Sequence, residues 1–216
     1  MFNKDTINAV LTTAFEYQLD PAALLAVAEI ESGGRTAYLV NGKYEPAIRF
    51  EGHYFDRRLT GSTRERARSE GLAHPSAGKI RNPASQAARW ALLNRAIKIN
   101  RKAALESTSW GLGQVMGAHW QWLGFTNIDA LVALARSSVS GQIMLMTRFI
   151  LQSGLQQSLH KQNWAHFAKS YNGPAYAKNQ YDLKLEAAWI GWKIRLAHEM
   201  PRLETSISVD KPIPAI

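Results

Sequence analysis

Apolar residues recur at spacings of three and four along most of the chain, a pattern that predicts a protein built mainly of helices. Over residues 2–19, Ile7, Val10, Leu11, Ala14 and Phe15 keep that period and predict an amphipathic helix. Asp20 and Pro21 predict a new start: the carboxylate caps free amides, and the proline stands at the first helical position, where its missing N–H costs nothing. That helix runs over 22–31 and ends at Ser32-Gly33-Gly34, because glycine past a helix end takes the left-handed backbone other residues resist. The period fails over 35–55. There Tyr38-Leu39-Val40 and Ala47-Ile48-Arg49-Phe50-Glu51 predict two short extended pieces around an Asn41-Gly42 turn. Residues 60–84, punctuated by Gly61, Gly71, Pro75, Gly78 and Pro83, predict a loop with at most a short basic helix. Further helices are predicted over 85–105, from Asn127 or Asp129 onward, and over 140–152, 164–170 and 182–200, with Pro201 as the stop. The fold class is therefore mainly α with a small β-hairpin near residues 36–52. Residues 205–216, with Pro212 and Pro214, are expected to form an extended tail.

Composition narrows the classes of function. With 216 residues, 46% of them hydrophobic, the chain has enough apolar material for one sizeable core, which excludes a disordered protein. It is read as a single domain over 1–204 with no separate binding module. No stretch of about 18 uncharged apolar residues occurs, and Met1-Phe2-Asn3-Lys4-Asp5 leads into polar sequence, so neither a membrane span nor a signal peptide is expected. The absence of cysteine excludes disulfides and thiolate zinc sites. The histidines, at 53, 74, 119, 160, 166 and 198, form no His-Glu-x-x-His pattern, and no Gly-x-Ser-x-Gly elbow is present. No metal and no cofactor is expected. The net charge of +9 is concentrated: residues 57–102 hold 12 Lys/Arg and 2 Asp/Glu, whereas the rest of the chain holds 14 and 15. Such a stretch suits a polyanionic partner, and a solvated helix face equally well.

Three places carry candidate chemistry. Glu31 follows Leu24 and Ala28 on a core-facing stripe, in the last turn of its helix, where the negative end of the helix dipole and partial desolvation both disfavour ionisation. A general acid near neutral pH needs that shift; the plainer alternative is a carboxylate fraying into solvent beside Gly33. Glu29, on the opposite face, is expected to be solvated. The second place is Ser107-Thr108-Ser109-Trp110-Gly111-Leu112-Gly113-Gln114-Val115-Met116-Gly117, read as a capped helix start with small residues on one side. The third is Ser170-Tyr171-Asn172-Gly173-Pro174, an aromatic and an amide at a tight turn. Near the C-terminus, Leu185, Trp189, Trp192, Leu196 and Leu203 share one stripe, which suits core packing better than a membrane-active helix because residues 184–204 carry a net charge of only +1.

In this order, a helix ending in Glu31-Ser32, the Ser109-Trp110-Gly111-Leu112-Gly113-Gln114-Val115-Met116 segment and Tyr171-Asn172-Gly173 resemble the lysozyme-like superfamily of goose-type lysozymes and lytic transglycosylases. With Arg49-Phe50-Glu51-Gly52-His53-Tyr54-Phe55 and Trp164-Ala165-His166-Phe167-Ala168 added, the chain is similar to the N-acetylmuramidase domain of phage endolysins over roughly residues 24–188. The resemblance implies a two-lobed, lysozyme-like helical fold and hydrolysis of the β-1,4 bond between N-acetylmuramic acid and N-acetylglucosamine in peptidoglycan, for host cell lysis. It implies that Glu31 is the acid and that Glu51 is a second carboxylate, positioning water or stabilising an oxocarbenium-like transition state. Ser109, Gln114, Tyr171 and Asn172 match positions that line the saccharide groove or orient the acid. Three features depart from the pattern: the segment between Glu31 and Glu51 is a few residues longer, Gly113 replaces a bulkier residue and Gly52 a charged one.

The partner implied is the peptidoglycan glycan strand, with residues 57–102 supplying attraction to an anionic cell surface. No stable membrane insertion and a monomer are expected. A nucleic-acid-binding reading, prompted by Trp90 between Arg89 and Arg95, leaves the Glu31, Glu51 and Tyr171 segments unexplained and is set aside. A lytic transglycosylase of the same fold is the nearer alternative. The resemblance also implies accumulation in the host cytoplasm until lysis.

Overall fold

In the computed structural model, residues 2–207 are described, with side chains to residue 198. Helix α2 (Pro21–Ser32) is its axis. Ala22 to Ala28 are each no more than 2% exposed, as expected of a helix that is apolar on every side. Around it pack α1 (Lys4–Glu16), α8 (Val139–Gln152), α10 (Trp164–Asn172) and α11 (Tyr181–Ile207), whose buried residues form one core with those of α2. Asp20 caps α2 as its sequence predicts, one carboxylate oxygen accepting from Ala22 N at 2.9 Å. Its other oxygen accepts from Trp189 Nε1 at 2.7 Å, and Glu29 accepts from Trp192 Nε1 at 2.5 Å. Glu29 is thus a tie to α11 and not a solvated charge. With Leu185, Trp192 and Leu196 buried, the C-terminal stripe is core packing as far as side chains are described, which leaves out Leu203.

A second core is formed by β1 (Tyr38–Val40), which pairs with β2 (Lys43–Glu45), and by β3 (Ile48–Phe50), α3 (Gly52–Arg58), α4 (Gly61–Ser69), α5 (Gln86–Ile99), α6 (Arg101–Glu106), β4 (Thr108–Trp110), β5 (Val115–Met116) and α7 (Ile128–Ser137). The short α9 (Gln156–His160) joins α8 to α10. The molecule is two-lobed, as the resemblance implies, but the second lobe is much more than a hairpin. Helix α8 serves both cores, Met146 facing one and Leu145 the other.

Several sequence expectations need correction. The Asn41-Gly42 turn forms, with both residues at positive φ (49° and 78°), but β1 returns directly into β2, because a two-residue loop pairs the strands immediately beside it. Residues 47–51 pair elsewhere: β3 runs antiparallel to β4, and β4 to β5. The Ser107 to Gly117 segment is therefore a β-hairpin and not a helix start. Gly111 and Gln114 sit at φ 71° and 47°, left-handed positions no right-handed helix holds, and the intervening turn leaves β4 free to join β3. Helix α11 continues through Pro201 to Ile207; a proline removes one helical hydrogen bond and need not end the helix. Residues 205–207 are accordingly helical, and the rest of the expected tail lies outside the described residues.

The free edge of β3 is closed by side chains. Asn82 accepts from Phe50 N at 3.0 Å and donates to Phe50 O at 2.7 Å; Gln86 accepts from Ile48 N at 2.9 Å, and Arg89 donates to Ile48 O at 3.3 Å. The loop over 71–85 is thereby fixed against the sheet, satisfying backbone groups that an open edge would leave unpaired. Gly52 is explained by the same loop: a Cβ there would lie 2.4 Å from Ile80 Cγ1.

Candidate active site

A cavity of about 620 Å³ opens between the lobes at the C-terminal end of α2. Glu31 lines it together with Arg35, Tyr38, Gln86, Arg89 and Gln114. Ser32 ends the helix above, its hydroxyl donating to Ala28 O at 2.6 Å and accepting from Gly34 N at 3.1 Å, and Gly33 takes the left-handed cap at φ 62°. Glu31 is therefore fixed by a formed cap and does not fray. Burial raises its carboxyl from the ordinary 4.5 to about 7, while the hydrogen bond from Asn172 pulls the other way.

Asn172 Nδ2 donates to Glu31 Oε1 at 2.5 Å. Its neighbour Tyr171 donates from the hydroxyl to Gly113 O at 2.7 Å, and its ring stacks on Phe167 and meets Phe149 edge-on. Burial first and Glu31 second raise the Tyr171 hydroxyl well above its ordinary pKa, so it remains a donor. The last turn of α10 thus holds both the acid and the hairpin turn between β4 and β5. This contact explains Gly113, since a Cβ would lie 2.6 Å from Met146 Cβ and 2.8 Å from the Tyr171 hydroxyl. Gln114 reaches the cavity but commits its amide N–H to Gly111 O at 2.8 Å.

Ser109 lies in the neighbouring sheet, in β4, and Glu51 follows β3 directly as the N-cap of α3. Arg49 pairs with Ser109 in register, and Ser109 with Met116, which puts these side chains on one face. Arg49 Nε donates to Glu51 Oε1 at 2.7 Å, and His53 Nδ1 lies 3.5 Å from Glu51 Oε2. Ser109 is 7% exposed, with Oγ 3.0 Å from Met116 Sδ. Neither Glu51 nor Ser109 lines the Glu31 cavity. Tyr181 links the two regions: burial raises its hydroxyl first, Glu31 raises it further and Arg49 lowers it, so both charges act on this one ring.

The sequence singled out neither Tyr181 nor Gln142. Gln142 is 5% exposed, accepts from Leu112 N at 3.0 Å and donates to Thr36 O at 3.1 Å, tying the hairpin turn to the strand entry beyond α2. The available signal was an amide directly before the apolar run Ile143-Met144-Leu145-Met146. Arg35 enters the sequence reading only as the start of the segment where the helical period fails, Gln86 only as part of the helix over 85–105, and Arg89 only as part of that helix and the basic stretch.

Among the described residues, no group of three His, Asp or Glu side chains is placed to hold a metal, and no helix is long and apolar enough to cross a membrane.

A family model described as N-acetylmuramidase matches residues 20–193. The solved structure of the Burkholderia AP3 phage endolysin is similar to this chain with a TM-score of 0.74 and 36% sequence identity, covering 87% of this chain and 71% of that one. A search of curated proteins gave no significant match. The family match includes Glu31, Glu51, Tyr171 and Asn172 and spans most of the chain, so the protein belongs to the N-acetylmuramidase family, glycoside hydrolases that act on peptidoglycan.

Proposed function

We propose that this protein hydrolyses the β-1,4 bond between N-acetylmuramic acid and N-acetylglucosamine, with Glu31 as general acid, and that it serves host cell lysis as an endolysin. One observation carries the reading: a carboxyl raised to about 7 lines the interlobe cavity and is held by a single amide. About half the molecules then carry the proton at neutral pH, which is the condition for an acid that gives a proton and regains it each cycle. The Asn172 bond occupies Oε1, which leaves Oε2 to carry the proton toward the glycosidic oxygen. As the bond breaks, positive charge develops on the sugar ring, and the proposed second carboxylate, Glu51, steadied by Arg49, stabilises it or orients the attacking water. Tyr171 acts indirectly, through the turn that carries Gln114.

Mass spectrometry of products from purified peptidoglycan, with borohydride reduction, tests the assignment. Reducing muramic acid ends are expected from the wild type and none from Glu31→Gln. An active Glu31→Gln protein refutes the acid's identity. A second reading has one observation in its favour: Glu51 lies outside the lining of the Glu31 cavity, and a one-carboxylate cleft suits intramolecular closure by the muramyl 6-hydroxyl. The same experiment decides it, because a lytic transglycosylase leaves 1,6-anhydro ends that borohydride does not reduce.

A further inference from the structure

Arg35 lies two residues beyond the left-handed cap of α2 and lines the same cavity as Glu31. It is exposed, and it makes no hydrogen bond or ion pair among the described residues. Arg89 lines the cavity too, its guanidinium fixed by Pro83 O at 2.8 Å and Ile48 O at 3.3 Å. The lining thus holds two guanidinium groups against one carboxylate, Glu31, which is itself half neutral near pH 7. Beside Arg35 the lining continues into Tyr38 and Leu39, and Leu39 is 63% exposed, an apolar shelf next to an uncommitted cation.

A cleft with excess positive charge is complementary to an anion brought by its substrate. The sugar rings of a muramidase substrate bring none, since the lactyl carboxyl of each muramyl sugar is consumed in the amide to its peptide. The anions lie on that peptide, which carries free carboxylates between methyl-bearing residues. Guanidinium beside an apolar shelf matches that alternation, and its planar fork suits a carboxylate. We propose that Arg35, with the shelf of Tyr38 and Leu39, receives a carboxylate of the peptide branching from the muramyl sugar, so that the enzyme favours peptide-bearing glycan with free carboxylates. The inference rests on the muramidase reading of the Glu31 cavity.

The test compares kcat/KM on two preparations of one cell wall, native and with its peptide carboxylates converted to amides by carbodiimide and ammonia. Salt of about 0.3 M screens diffuse surface attraction while leaving contact pairs. The wild type is expected to lose roughly tenfold on the amidated wall, the size of one charge-assisted contact. Arg35→Gln should act equally on both preparations, and Arg35→Lys should keep part of the preference. A Lys79→Gln, Arg81→Gln double variant, which removes exposed cations outside the cavity lining, should keep the full wild-type preference. The proposal is overturned if the wild type shows no preference, if Arg35→Gln retains it, or if the double variant loses it as Arg35→Gln does. Wild-type protein that releases sugar from neither wall overturns the muramidase reading itself.

Discussion

Glu31→Gln should make the protein more stable as it makes it inactive. The carboxyl sits at about 7 in the fold against an ordinary 4.5, so the folded state binds a proton between those values that the unfolded chain has released. Stability therefore falls as pH rises through that window, and above pH 7 the ionised, desolvated group costs about 3 kcal/mol. Glutamine has the shape of the protonated acid, and its carbonyl still accepts from Asn172. At pH 8 the variant should gain up to about 3 kcal/mol, which for a chain of this size raises Tm by roughly 6–12 °C. At pH 5 the gain should shrink below about 1 kcal/mol, because the native acid is already neutral there. Thermal melting of both proteins from pH 5 to pH 8 checks this. A stability difference that does not change with pH, or a variant less stable at pH 8, refutes the account of Glu31 as a carboxyl raised by burial.

Asn172→Ala removes the hydrogen bond that favours ionised Glu31, so the alkaline limb of the pH–rate profile should move up by roughly one unit while kcat falls; a limb that stays near 7 or moves down contradicts the role given to that bond. Gly113→Ala forces a methyl group against Met146 and the Tyr171 hydroxyl and should cost about 1–3 kcal/mol by urea denaturation, with loss of wall cleavage. Arg68→Gln leaves the buried Asp56 without its bonds at 2.6 and 2.9 Å, and should lower the urea midpoint at pH 7. Arg68 holds the Asp56 carboxyl below its ordinary range, so that deficit should disappear as pH falls through the lowered value and Asp56 becomes neutral in both proteins.

Most helices were legible because their signals are local, but the one predicted over 85–105 is two, broken where Asn100 takes an extended backbone and caps α6, and α3 begins inside the segment where the period fails. Asp20-Pro21 at the start of α2 and Gly33 at its end did what their chemistry dictates, and the position of Glu31 followed from the count of residues between them. The sheet was not legible, since its pairs are distant in sequence: β3 meets β4 across nearly sixty residues, and nothing in either three-residue strand names the other. The β4–β5 hairpin was misread for a related reason. Its polar and small residues look like a cap until Gly111 and Gln114 are seen at positive φ. The site was legible in its residue types but only partly in its grouping. Glu31, Asn172, Tyr171 and Gln114 come together through hydrogen bonds and the cavity wall, whereas Ser109 lies on the adjoining sheet and Glu51 caps α3 beside it, held by Arg49.

The basic stretch over 57–102 changes meaning once its partners are known. Arg58 and Lys102 pair with Glu106, and Arg68 and Arg101 with Asp56 and Asp129. Those three carboxylates come from outside the stretch, so a count along the sequence overstates the local excess. Arg64, Arg89 and Arg95 spend hydrogen bonds on backbone carbonyls and hold loops in place. Substituting Arg64, Arg66 and Arg68 to test wall attraction would therefore perturb the fold as well as the charge. Lys79, Arg81 and Lys98 are exposed and make no hydrogen bond or ion pair among the described residues. If the stretch draws the enzyme to an anionic wall, these carry the field without structural work. The Lys79→Gln, Arg81→Gln protein should then keep its Tm yet sediment less with purified walls at low ionic strength, the difference closing as salt shortens the Debye length to a few ångströms. Unchanged sedimentation at low salt would mean that the charge of this stretch serves the fold and not the wall.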